Sequence, residues 1–131
     1  MKILASVLAL AVVTVLTSAF FLSPRAENEM VRHVVVFKYK PEATEAQIKE
    51  ITDAFRNLKE EIPGIVGFEH GVNNSPEGLN QDFTHVYLLS FENEAARDAY
   101  LPHPKHAEFG KLLGESGIFD GAFVVDYTVM E

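Results

Sequence analysis

Cysteine is absent from the 131-residue sequence, and so is tryptophan. Without cysteine there is no disulfide framework, no thiolate metal site and no thiol nucleophile. Basic residues are scarce as well: 11 Lys and Arg stand against 19 Asp and Glu, a net charge of -8. A surface of that sign lacks the basic stripe that neutralises phosphates, so DNA and RNA are not expected partners. Six prolines and eight glycines are too few for a collagenous or disordered chain. What remains, 47% hydrophobic and 23% charged residues, suits one ordinary globular domain.

Charge is missing altogether from Ile3 to Leu22, with Lys2 before the run and Ser23-Pro24-Arg25 after it. Thr17 and Ala19 occupy the small-residue positions of a secretory signal cleaved after Ala19. The same 20 uncharged residues are long enough to span a bilayer, so an uncleaved anchor is the competing expectation. Either way residues 1–26 are an address and residues 30–131 are the exported domain, periplasmic or secreted. Membrane contact is expected only through residues 3–22, if they are retained. No cysteine follows the run to carry a lipid. Removing residues 1–26 takes away Lys2 and Arg25 and no acid, which leaves the domain at a net -10.

The domain reads as strand, helix, two strands, helix, strand. Residues 32–39 alternate, with His33, Val35, Phe37 and Tyr39 on one face and Arg32, Val34, Val36 and Lys38 on the other. Thr44-Glu45-Ala46-Gln47 fits a capping box, and the helix it opens runs to about Glu61 on a stripe of Ile48, Ile51, Phe55, Leu58 and Ile62. Pro63-Gly64 stops it. Strands are expected at Ile65–Val72, Phe83–Phe91 and Phe119–Val129, around a turn at Asn73–Gly78. Asn93 caps a short helix to Leu101, Pro102 interrupts it, and Pro104 starts another. The order βαββαβ predicts an α+β, ferredoxin-like subunit in which helices cover one face of an antiparallel four-stranded sheet. Val34, Val36, Val86 and Leu88 then lie on the uncovered face, and their burial calls for a second copy.

The chemistry concentrates in Tyr100-Leu101-Pro102-His103-Pro104-Lys105-His106. Helical spacing groups His106 with Phe109, Gly110 and Leu113, aiming it at the sheet, and groups Tyr100 with Ala96. His33 and His85 are expected to reach the same interior. Several polar tips in one apolar region are the make-up of a small-molecule pocket. A histidine at a helix N-terminus is favoured as neutral imidazole, the form a general base needs. The plainer alternative is structural: a buried His bonded to a Tyr holds a core together. Metal binding is not expected, because His103-Pro-Lys-His106 has no carboxylate ligand in register. His103 reads as an exposed cap, Lys105, Glu108 and Lys111 as a solvated face, and His70 as a surface residue without companions.

Four motifs carry a family resemblance: His33-x-Val35-x-Phe37-Lys38, then Gly71-Val-Asn73-Asn-Ser75-Pro76-Glu77-Gly78-Leu79, then Phe83-Thr84-His85, then Tyr100-Leu-Pro-His103-Pro104-x-His106-x-x-Phe109. From about Met30 to Val129 the chain resembles the stress-responsive dimeric α/β barrel (Dabb) family. The resemblance implies a homodimer in which two sheets close into a barrel. It does not imply one function. Most members have no assigned activity, while the plant polyketide cyclase that makes olivetolic acid uses a Tyr and a His at positions matching Tyr100 and His106. Its supporting histidines match His33 and His85, and its His-Pro-x-His run matches His103 to His106. It holds an alkyl tail among aromatic groups on its first helix, where this chain has Thr52 at one position.

Two functions follow as expectations. In one, a pocket with His33, His85, His103 and Phe109 binds a small apolar or aromatic molecule without chemistry, in a stress-related role. In the other, a cofactor-free lyase or cyclase uses His106 as general base and Tyr100 as its partner. Oxygen-dependent chemistry has no marker in the sequence.

Overall fold

The computed structural model describes residues 29–130, so the address expected at residues 1–26 lies outside the described residues. Seven elements follow in order: β1 (Val31–Tyr39), α1 (Glu45–Glu61), β2 (Ile65–Val72), β3 (His85–Phe91), α2 (Glu94–Tyr100), α3 (Pro104–Glu115) and β4 (Phe119–Thr128). The strands lie in the order β2-β3-β1-β4, and every pairing is antiparallel. This is the expected ferredoxin-like α+β fold, with its second crossover helix divided at Pro102. β3 begins at His85 rather than Phe83. Gln81 and Asp82 hold left-handed backbone at φ 48° and 65°, and the Phe83 N–H donates to the Asn80 carbonyl, so Phe83 closes the turn.

Local chemistry sets the helix ends. The Thr44 N–H donates to the Gln47 side chain at 3.0 Å, and the Gln47 N–H returns to the Thr44 hydroxyl at 3.3 Å. At the other end of α1 the chain turns through Gly64, whose φ of +90° suits only glycine. A Cβ there would stand 2.6 Å from the Cβ of Ala96, so the turn leaving α1 presses directly on α2.

The helices cover one face of the sheet. Val31, His33, Val35 and Phe37 of β1 and Tyr87, Leu89 and Phe91 of β3 are buried beneath them, against Ile51, Phe55 and Leu58 of α1. Phe55 is the hub of this layer, stacked on Phe109 at 4.5 Å and Phe37 at 5.9 Å between ring centroids. The opposite face carries Val34 between Leu88 and Val125, and Val36 between Val86 and Phe123. Among the described residues no helix covers that band, and Phe123 and Tyr127 remain half exposed. Among the described residues no helix is long and apolar enough to cross a membrane.

Candidate functional site

Two short helices meet end to end at Leu101-Pro102-His103. α2 starts where the Asn93 side chain accepts the Ala96 N–H at 2.9 Å, and Pro102 prevents its continuation. α3 starts at Pro104, with His103 as its cap accepting the Lys105 N–H on Nδ1 at 3.2 Å. Across this junction the ring of His106 lies 4.3 Å from the ring of Tyr100, tilted by 39°. The Nδ1 of His106 is 2.9 Å from the Leu101 carbonyl oxygen. A carbonyl only accepts, so Nδ1 carries the hydrogen, and Nε2 of the neutral ring keeps its lone pair.

His33 reaches Tyr100 from the sheet, with ring centroids 5.7 Å apart. It sits opposite Asp126 in the β1–β4 register, and its Nδ1 lies 2.6 Å from Asp126 Oδ1. The carboxylate fixes the Nδ1–H tautomer in the neutral ring, as the Leu101 carbonyl does for His106, and again Nε2 is left as the acceptor. The second carboxylate oxygen of Asp126 accepts from Arg97 Nη1 at 2.6 Å, while Arg97 Nε donates to Asp98 at 2.7 Å. Both carboxylates raise the pKa of Arg97, Asp98 contributing most.

Tyr100 stands between the two histidines and is 0% exposed. Its hydroxyl is buried without a hydrogen-bond partner. Burial, and then the negative charge of Asp126, hold its phenol well above the ordinary 10.0. It is therefore a neutral donor aimed into the protein and engaged by nothing. A buried orphan of this kind costs about 1–3 kcal/mol and is met where a ligand or water completes the set.

The structure divides the residues that the sequence placed together. His33, Tyr100 and His106 form one cluster; His85 does not join it. His85 faces the helix layer as expected but pairs with Phe37, four residues along β1 from His33, which is about 13 Å of strand. Its neighbours are the Tyr39 ring at 5.0 Å and the Thr84 hydroxyl at 2.9 Å. Beside it, the hydroxyls of Tyr39, Tyr87 and Thr52 form a separate chain with links of 3.0 and 2.9 Å. His106 is less inward than its spacing suggested, lying partly exposed over Tyr100. Phe109 is core, packed on Phe55, and His103 is a helix cap. His70 is exposed but not alone, with Nε2 at 2.9 Å from Arg56 Nη2. Among the described residues no three His, Asp or Glu side chains gather as a metal would require.

Asp126 and Arg97 were missed by reading the sequence. Asp126 is an acid that directly follows the apolar run Ala122-Phe123-Val124-Val125, on the same strand face as Ala122 and Val124. Such an acid signals a partner. Arg97 lies three residues before Tyr100, hence on the same side of α2.

Comparison with known proteins agrees with this architecture. The model of the stress responsive A/B barrel domain matches residues 31–129. Olivetolic acid cyclase from Cannabis sativa is 30% identical over 98 residues, covering 75% of this chain and 95% of its own. The hydroxynitrile lyase from Passiflora edulis superposes with a TM-score of 0.71 at 27% identity, covering 79% of this chain and 96% of that one. A dimeric ferredoxin-like protein of unknown function from Jannaschia sp. CCS1 does so with a TM-score of 0.64 at 33% identity, over 76% and 99% of the two chains. With its fold, its motifs and nearly all of its described residues accounted for in this way, the chain belongs to the Dabb, or stress responsive A/B barrel domain, family.

Proposed function

We propose that this protein is a homodimeric acid–base lyase or cyclase acting on a small apolar or aromatic carbonyl compound. One observation carries the reading: Tyr100, whose hydroxyl is unpartnered, packs its ring against two histidines whose Nδ1 atoms are both engaged by acceptors. Each neutral imidazole thus offers Nε2 as a base, and Tyr100 offers a proton where negative charge would develop. A base and a donor around one interior suit removal of a proton from a hydroxyl or from a carbon next to a carbonyl, with the oxygen stabilised as a C–C bond forms or breaks. That chemistry needs only protonatable side chains. His106, partly exposed over Tyr100, takes the role of general base, and Tyr100 that of oxyanion donor.

The names of two relatives, olivetolic acid cyclase and hydroxynitrile lyase, agree with a cyclase or lyase reading. Export by residues 1–26 belongs to the same proposal, and so does a stress-related role for an apolar ligand met outside the cytoplasm. Complete enclosure of Tyr100 favours a second reading, in which the cluster closes on a ligand and performs no chemistry. The experiment is a thermal-shift screen of aromatic aldehydes, cyanohydrins and polyketide-like compounds, followed by turnover assays on every binder. Binding with turnover, lost in His106→Gln and Tyr100→Phe, supports the enzyme. Binding without turnover supports the second reading, and no binding at all overturns both.

A further inference from the structure

Arg97 lies beyond the pair of residues that the proposed chemistry uses, yet it touches the group that orients His33. We propose that Arg97 is a positioning residue which, through Asp126, keeps His33 neutral with its Nε2 available as an acceptor. The inference rests on the acid–base reading above for its functional meaning, and on geometry for everything else.

The cluster has a definite charge count. Groups facing His33 are Asp126 from β4, Arg97 and Tyr100 from α2, and His106 beyond the Tyr100 ring from α3. His33 is buried, and the side chains of Asp126 and Arg97 are about four-fifths shielded, at 23% and 21% exposure. Inside such a cluster the Asp126 carboxylate needs one positive partner. Arg97 supplies it through Nη1 at 2.6 Å, on the oxygen that His33 does not use. A guanidinium that never loses its proton, fixed on that carboxylate, opposes a second positive charge on His33. Asp98 holds the guanidinium from the solvent side through Nε, so the fork points one way only. Without Arg97, the nearest group able to answer the carboxylate is His33 itself. It would then carry protons on both nitrogens and cease to be a base.

The arrangement also ties two helix positions together. Arg97 and Tyr100 stand one turn apart on α2, so the helix that delivers the hydroxyl delivers the charge as well.

The test is long-range proton–nitrogen NMR of the histidines in the full-length protein labelled with nitrogen-15, at neutral pH, with His33 assigned by its loss in His33→Gln. The parent is expected to show His33 with hydrogen on Nδ1 and a bare Nε2. In Arg97→Met the imidazolium-to-imidazole ratio of His33 should rise by about tenfold or more, the scale of losing a neighbouring like charge. Arg97→Gln, which keeps a hydrogen bond without the charge, should behave like Arg97→Met, and Arg97→Lys should restore the parent signature. Unchanged His70 and His85 signals report that each variant is folded. A His33 signature that is the same in Arg97→Met or Arg97→Gln as in the parent overturns the proposal, and so does a failure of Arg97→Lys to restore it. Neither readout needs a ligand. A moved signature in a protein that binds no carbonyl compound removes the proposed function alone, whereas turnover with an unmoved signature removes this inference alone.

Discussion

Tyr100 and His106 meet across the joint between two helices, ring over ring at 4.3 Å, although Pro102 separates the helices that carry them. The contact covers the face of Tyr100 but leaves its hydroxyl unpartnered.

Tyr100→Phe removes that orphan and nothing else, so the variant should unfold in urea at the same or a higher midpoint, more stable by up to about 1–2 kcal/mol. Ligand binding or turnover should be lost in the same protein, the trade of stability against function expected at a site. Its alkaline absorbance titration should superimpose on that of the parent until unfolding begins, because burial holds the parent's Tyr100 phenol well above the ordinary tyrosine range. A loss of stability of 1 kcal/mol or more would show a hydroxyl bonded in solution and return Tyr100 to the core.

Phe109 should behave in the opposite way. Its ring is the closest stack on the Phe55 hub, so Phe109→Ala should cost about 3–5 kcal/mol, measured by denaturant unfolding. Phe109→Leu should recover much of that loss and keep function. Near-native stability of the alanine variant would assign Phe109 to a cavity instead.

The uncovered face of the sheet predicts the assembly. Val36 lies between Val86 and Phe123 in the middle of the exposed apolar band, and solved relatives with this fold are dimeric. Light scattering should give twice the monomer mass for the parent and the monomer mass for Val36→Asp, whose carboxylate would be buried without a partner. A parent that runs as a monomer ends the barrel reading.

His85 gives the fold a pH dependence. Burial, and secondarily the charge of His70, lower its pKa below the ordinary 6.5. The unfolded chain therefore binds the proton first as pH falls. Stability from this group is fully present above about 6.5 and is lost on descending through the lowered folded value. Urea midpoints of the parent and of His85→Gln, compared on either side of that pH, should show a smaller acid loss in the variant. Equal slopes would mean that His85 titrates as it does in water.

Much of this was legible in the sequence because it depends on near neighbours. Thr44 and Gln47 announced the start of α1, Pro102 and Pro104 divided the second crossover, and alternation in β1 sorted Val35 and Phe37 from Val34 and Val36. Such signals reach three or four residues along the chain. The separation of His85 from His33 was hidden for a different reason: alternation gives the face of a residue but not its height, and height comes from register with a strand 48 residues away, Phe37 pairing with His85. Asp126 was hidden for the same reason, since its partner His33 stands 93 residues earlier and meets it only after β4 pairs with β1. The resemblance to the Dabb family supplied Tyr100 and His106 as a pair; the carboxylate and guanidinium behind His33 came from the folded chain alone.

Gly64 extends the reach of the site well past the residues that compose it. Its missing side chain is the clearance in which Ala96 sits, and α2 is only seven residues long, too short to keep its place unaided. Any side chain at Gly64 would push on the helix that presents Arg97 and Tyr100 together. In a random mutational screen scored by the proposed activity, position 64 would rank beside the histidines, and a map drawn from that screen would show a candidate site with one member that never touches it.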